Sequence, residues 1–446
     1  MSSIRHPDHR FVAAIRNVDP VRRIGAVTRV MPTFIEADGP GVPLGSLCSI
    51  GTDRTQAVLA EVVNVELGRV TLAPYSPVSS TRIGDEVCAL QLGANIPVGP
   101  AYIGRVIDPL SRPLDGGAPL AAHAAPAAYW PLAGIGTAPL ERTSPDTPLP
   151  TGIRALDALL TLGVGQHAGI FAGSGVGKTT LLGSLTRNIE ADVCVLCLVG
   201  ERGREAEEFW HRTLTDTTRA RSTLVVATSD QPAVMRARSV LVALSLAEYF
   251  RAQGAHVLLM LDSVTRYALA LREIGLAAGE PPTVRAYTPS VFAALPKIVE
   301  RCGALKSGGA ITALMTVLTE TDEIDDPMAE TMRALLDGHL VLTRELAEQG
   351  HFPAIQVPRS VSRVFQHVTN AAQRTLATDA IAQLALYESS KTLVESGLYA
   401  AGSNPQLDRA LRLRSALIAF LRQDADTRTP RDEAIAMLES LLKEPR

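Results

Sequence analysis

The segment that most constrains this chain is the loop Ala172-Gly-Ser-Gly-Val-Gly-Lys-Thr-Thr180, entered by the apolar run Ala168-Gly-Ile-Phe and followed by Leu181-Leu182. Its three glycines, Gly173, Gly175 and Gly177, let the backbone curl so that its N–H groups point inward at phosphate oxygens. A helix leaving at Lys178 adds the partial positive charge of its N-terminus. In such a loop the Lys178 ammonium reaches the β- and γ-phosphates, and the Thr179 hydroxyl coordinates magnesium. The expected ATP-binding set is therefore Gly173, Ser174, Gly175, Val176, Gly177, Lys178, Thr179 and Thr180. Alanine stands at the first position, which costs little if its backbone angles are ordinary. The alternative is a chance glycine turn before a helix, and the strand–loop–helix context weighs against it. Lysine is scarce here, at positions 178, 297, 306, 391 and 443 only. One of those five sits where a compact point charge suits better than a planar fork.

Such a loop belongs at the end of a strand in a parallel sheet, and the texture of the chain supplies one. With 446 residues more than one core is expected. Residues 1–92 read as a polar arm, over 1–20, and a small β-barrel of short apolar runs split by turns. Residues 93–150 are rich in Pro, Ala and Gly and read as an ordered, extended linker. Apolar runs alternate with helical segments over 151–368, the pattern of a RecA-like α/β nucleotide domain. Residues 369–446 are Ala/Leu/Arg-rich at helical spacing and predict a helical C-terminal domain.

Bulk properties narrow the classes. A net charge of −3 gives no electrostatic footprint for nucleic acid, so no nucleic-acid partner is expected. No apolar stretch reaches the roughly 18–20 residues of a membrane span, and no signal-like segment opens the chain. Membrane contact would be peripheral and through partners. The five cysteines, at 48, 88, 194, 197 and 302, are scattered, which fits a reducing cytosol. Cys194 and Cys197 lie three apart in the strand-like run Val193–Val199, so their sulfurs should face opposite ways and fill the core.

Three further segments fit the chemistry of phosphoryl transfer. Asp262 ends the apolar run Val257–Leu261, where a carboxylate serves as the second magnesium-side ligand, often through water; capping the next helix is the competing role. Glu201 opens Gly200-Glu-Arg-Gly-Arg-Glu205 directly after a strand, placed to orient and polarise the attacking water, unless it belongs to a solvated cluster of charge. Arg266, four residues past Asp262, projects toward the same phosphate. Arg363, in Ser360-Val-Ser-Arg363, is far from the loop in sequence and suits a finger supplied in trans across a subunit interface.

In that order, these segments resemble the catalytic subunits of rotary ATPases and, more closely, the ATPases of type III protein secretion and flagellar export. Longer strings carry the likeness: Arg272-Glu-Ile-Gly-Leu-Ala-Ala-Gly-Glu-Pro-Pro282, Pro289-Ser-Val-Phe-Ala-Ala-Leu-Pro296 and His351-Phe-Pro-Ala-Ile355. The resemblance implies ATP and Mg2+ as cofactors, Glu201 as the catalytic glutamate, Arg202 and Arg266 as phosphate-side arginines, and Phe352 as the aromatic against adenine. It also implies a homohexamer whose neighbours' sites are completed by Arg363. A coiled-coil stalk protein would stand in the ring pore and a stator or regulator protein at the N-terminal region. The export gate and chaperone–substrate complexes would be further partners, at the cytoplasmic face of the inner membrane. Chaperone release and substrate unfolding would be the work. The acidic segment Thr319–Pro327 and the turn at Tyr287-Thr-Pro depart from the family pattern and put partner identity, more than catalysis, in question.

Overall fold

The computed structural model describes residues 23–51, 57–90, 95–120, 128–319 and 326–443. The expected N-terminal arm over 1–20 and most of the acidic segment lie outside these residues. Two compact units emerge, one holding the N-terminal strands and one running from Ile96 onward.

In the first unit six strands close into a barrel, in the order Ile24–Val30, Ile35–Ala37, Arg69–Pro74, Val58–Glu66, Leu47–Ile50 and Glu86–Ala89. The last pairs antiparallel with the first, so no strand edge is left open. Side chains alternate across the wall: Val58, Ala60 and Val62 point inward, joining Ile35, Ile50, Leu72 and Val87 in a small apolar core.

The second unit is built on a ten-stranded sheet. Its main path runs Val361–Ser362, Gly338–Leu342, His167–Ala172, Ala310–Leu318, His256–Asp262, Val193–Glu201, Ser222–Thr228 and Val106–Ile107. All neighbours on this path are parallel except the first pair. A parallel sheet must be covered on both faces, and the central strand shows how. Val193, Val195, Cys197 and Val199 join one core with helices Ala233–Ala252, Val264–Ala277 and Pro289–Glu300. Cys194, Leu196 and Leu198 join the other, with Lys178–Asn188 and helices from the C-terminal region. The two sulfurs thus diverge as the strand period requires, and burial pushes the Cys197 thiol up to about 12.

The described residues of 96–120 and 128–150 run in short, mostly extended pieces that are built into this unit. Ile96, Val98, Tyr102, Ile107 and Leu132 enter its core. The Trp130 indole donates to Glu248 at 3.0 Å, and Glu248 forms a buried, two-pronged ion pair with Arg301. Short strands form here all the same, at Val106–Ile107 and Ala128–Pro131, and the prolines do not prevent burial.

The C-terminal helices Ala371–Glu395, Pro405–Leu421 and Arg431–Leu442 pack within the same unit. The first is capped by Asn370, whose side chain accepts from Gln373 N. The second is capped by Asn404, with Pro405 at its first turn. Both caps satisfy orphan donors that would otherwise fray the start of the helix. Among the described residues no helix is long and apolar enough to cross a membrane.

Candidate active site

The carboxyl ends of three parallel strands converge on the glycine loop. The strand His167–Ala172 feeds it, and the helix Lys178–Asn188 leaves it with Gly177 at the N-cap, φ 85° and ψ 18°. That left-handed backbone needs glycine. A Cβ there would also approach the Phe352 ring to 3.2 Å. Thr319 N donates to Ala172 O at 3.1 Å, tying the end of the neighbouring strand to the loop mouth.

Around the loop opens a cavity of about 550 Å³, lined by Gly173, Ser174, Gly175, Lys178, Thr179, Glu201, Arg202, Glu205, Asp262 and Arg266, among others. Asp262 ends one strand and Glu201 the next. Lys178 Nζ lies 2.5 Å from Asp262 Oδ1 and 3.7 Å from Glu201 Oε1. Arg266 donates from Nη2 to Glu201 Oε2 at 3.2 Å, and its Nε stands 3.2 Å from Oε1. Two buried carboxylates are thus held by one ammonium and one guanidinium, the pairing that burial of charge requires. Thr316, fully buried on the adjacent strand, donates to Asp262 Oδ1 at 2.7 Å and fixes that carboxylate further.

Local backbone explains how Glu201 reaches the site. The parallel ladder shifts between Val199 and Glu201, where Gly200 takes φ +67°. Such a bulge turns the following side chain toward the cavity. A Cβ on Gly200 would come within 3.0 Å of Arg266 Cδ, so glycine also lets Arg266 cross over to Glu201.

Burial, chiefly, and a hydrogen bond with Glu205 push the Glu201 carboxyl up to about 7, against the pull of Lys178. The same hydrogen bond holds Glu205 below its usual range. A folded-state value above the ordinary 4.5 means protonated Glu201 is the form that folding favours. That contribution to stability is full below about pH 4.5 and is lost as pH rises through about 7. Thermal unfolding of the protein without nucleotide should therefore show Glu201→Gln gaining on the parent between those two values. An unchanged difference across that window would contradict the assignment. In catalysis the sign is the reverse, because only ionised Glu201 accepts a proton. kcat/KM should rise with pH through about 7, and Glu205→Gln should move that limb to lower pH.

The other sequence-predicted residues fall in three places. Arg202 lines the cavity with its side chain largely in solvent, 3.9 Å from Glu205. Phe352, half exposed, lies over Gly177 in a slot shared with Thr180, Pro353, Gln423 and Ala425. Arg363 is exposed and outside the cavity lining; its Nη2 donates to Arg333 O at 3.2 Å. Within one chain the structure brings Lys178, Thr179, Glu201, Asp262 and Arg266 together, and leaves Arg363 apart.

Sequence reading missed Thr316, which carries no motif, and the C-terminal wall of the Phe352 slot. Gln423 N donates to Phe352 O at 2.9 Å, and its Nε2 to Gly152 O at 2.7 Å. Ser184 and Arg187 of the loop helix donate to Ala425 O at 2.8 and 2.9 Å. No local pattern around Gln423 signals this contact across more than two hundred residues.

A glycine loop at a strand end, a lysine seated between two buried carboxylates and a RecA-like sheet define a P-loop ATPase. Residues 152–362 match the model of the ATP synthase alpha/beta family, nucleotide-binding domain, and residues 369–440 match that of the T3SS EscN ATPase C-terminal domain. The chain is 44% identical to the SPI-2 type 3 secretion system ATPase of Salmonella typhimurium, covering 95% of each chain. It is 42% identical to the flagellum-specific ATP synthase of Bacillus subtilis, over 97% of this chain and 98% of that one. The solved structure of the assembled ATPase EscN of the enteropathogenic E. coli type III secretion system superposes with a TM-score of 0.88 at 40% identity, covering 94% of this chain and 100% of that one. EscN in complex with its central stalk EscO gives a TM-score of 0.84 at 39% identity, with the same coverage. The chain belongs to the family of type III secretion and flagellar export ATPases, and it is an ATPase.

Proposed function

We propose that this ATPase energises protein export as a homohexameric ring, with each hydrolytic site completed by a neighbouring subunit. The observation that carries this reading is the division of the predicted site. Lys178, Glu201, Asp262 and Arg266 share one cavity, while Arg363 stands exposed elsewhere on the same unit. One chain carrying both halves can build every interface of a closed ring alone.

The backbone of the loop binds the phosphates, and Lys178 faces the β- and γ-oxygens. Thr179 and Asp262 offer hard oxygen donors on the same cavity wall, a set that fits Mg2+, which takes its remaining ligands from phosphates and water. Held there, Mg2+ would neutralise charge on the β- and γ-phosphates. Glu201 orients a water for in-line attack at the γ-phosphorus and receives its proton as the bond to the bridging oxygen breaks. Arg266 and Arg202 hold charge on the phosphate side, and Arg363 of the neighbour stabilises charge that develops in the transition state. Phe352 stacks on adenine. Phe352→Ala should raise KM for ATP roughly tenfold at nearly constant kcat, since stacking on a base is worth about 1–3 kcal/mol; Phe352→Tyr should keep the parent KM.

The C-terminal helical region matches an export-ATPase model, which favours secretion over rotary ATP synthesis. In this reading the ring sits at the cytoplasmic face of the inner membrane. A stalk occupies its pore, as the stalk EscO binds EscN, and a regulator sits at the N-terminal region. The ring would release chaperones and unfold substrates at an export gate. Replacing the native copy in its own cell by the Lys178→Ala form should stop export of secreted substrates and leave respiratory growth unchanged. A respiratory defect with normal export would overturn the assignment.

A further inference from the structure

On the strand Ala310–Leu318 successive side chains face opposite sides of the sheet. Leu314 joins the core on the side of the loop helix Lys178–Asn188, and Thr316, two residues on, faces the same way. Thr316 is fully buried, where a hydroxyl without a partner is costly. Its Oγ1 lies 2.7 Å from Asp262 Oδ1 and 3.3 Å from Leu261 O. A hydroxyl has one proton to give, and the charged acceptor at the shorter distance takes it. Branching at Cβ restricts the side-chain rotamer. The strand itself is paired on both sides, with His167–Ala172 and His256–Asp262, so this donor has little room to move.

Both hydrogen bonds that the Asp262 carboxylate receives among the described residues fall on Oδ1, from Thr316 and from Lys178 Nζ at 2.5 Å. The two donors differ in what a nucleotide does to them. Lys178 sits on a long, flexible stem and, in the reaction proposed above, turns to the β- and γ-oxygens, which takes its ammonium away from Asp262. Thr316 stays. We propose that Thr316 is a positioning residue for the magnesium side of the site: its hydroxyl holds Asp262 by Oδ1 once Lys178 has turned to the phosphates, and so keeps Oδ2 available toward the metal. This rests on the reading of Asp262 as a magnesium-side carboxylate.

Binding of a fluorescent ADP analogue to the full-length protein, measured in excess Mg2+ and again in EDTA, gives the factor by which magnesium tightens the nucleotide. Thr316→Val should cut that factor about tenfold, the lower end of the cost of losing a hydrogen bond behind a metal-side ligand, and leave the affinity in EDTA within about threefold of the parent. Thr316→Ala should show the same drop. Thr316→Ser keeps the hydroxyl and should keep most of the factor. A residue that only filled the core would weaken binding equally in Mg2+ and EDTA, or in neither, and either result would overturn the proposal. Asp262→Asn separates this inference from the reading beneath it, and should largely abolish the factor. If it does so while Thr316→Val keeps the parent's factor, only the role of Thr316 falls. If Asp262→Asn keeps the factor, or the parent has none, the magnesium reading of Asp262 falls with it.

Discussion

Glu201→Gln is expected to slow ATP turnover by roughly 10²–10⁴-fold, the range for loss of a positioned general base, while ATP still binds. The amide keeps the shape of the side chain and its place beside Arg266, whose Nη2 lies 3.2 Å from the carboxylate. It cannot take a proton from water. The phosphate loop, the Phe352 slot and Asp262 are untouched, so a fluorescent ATP analogue should bind within about threefold of the parent, a difference well under 1 kcal/mol. Lys178→Ala should behave differently. Lys178 is the ammonium between Asp262 and Glu201, and its removal leaves the buried Asp262 carboxylate without a counter-charge while Glu201 keeps Arg266, a loss on the order of 3–5 kcal/mol. That variant should lose both binding and turnover and unfold earlier. Retention of more than about a tenth of parental turnover by Glu201→Gln would take Glu201 out of the general-base role.

How much of this was legible beforehand differs from residue to residue. The loop, Asp262 and Glu201 were readable because each depends on local rules: glycines where the backbone must curl, and carboxylates where buried strands end. The barrel and the two-faced sheet followed from periodicity, and the opposed faces of Cys194 and Cys197 are the plainest instance. Thr316 was silent. Its role comes from lying beside Asp262 on a neighbouring strand, and strand adjacency across 54 residues leaves no mark in composition. Gln423 was silent for a related reason. It sits in a segment that reads only as helical, and its bonds to Gly152 and Phe352 arise from how the C-terminal helices fold back over the sheet. The burial of Ile96, Val98 and Tyr102 was silent as well, since a Pro-, Ala- and Gly-rich stretch does not say what packs against it.

Arg363→Ala carries the other large effect. A guanidinium that stabilises transition-state charge in trans is worth roughly 10³–10⁵ in turnover. In one chain Arg363 is exposed at the sheet edge, held by Arg333 O through its guanidinium and by Asp337 O through its backbone N–H. Truncation there removes no core packing, so the thermal midpoint of the isolated chain should stay within about 1–2 °C, as for a surface substitution. Binding of ATP should also hold, because the phosphate loop is complete within the chain. Turnover alone should collapse, and only where subunits assemble. Arg363→Lys should rescue poorly, since a point charge does not replace a planar fork.

The shared site is the central claim, and mixing two dead proteins tests it most directly. Lys178→Ala supplies an intact Arg363, and Arg363→Ala supplies an intact loop with Glu201. Assembled together in equal amounts, about a quarter of the interfaces in a closed ring would join an intact loop to an intact arginine. ATP hydrolysis by the mixture should then recover to a clear fraction of the parent, although each variant alone is inactive. A mixture as inactive as its components, under conditions where the parent assembles and hydrolyses, would contradict the account.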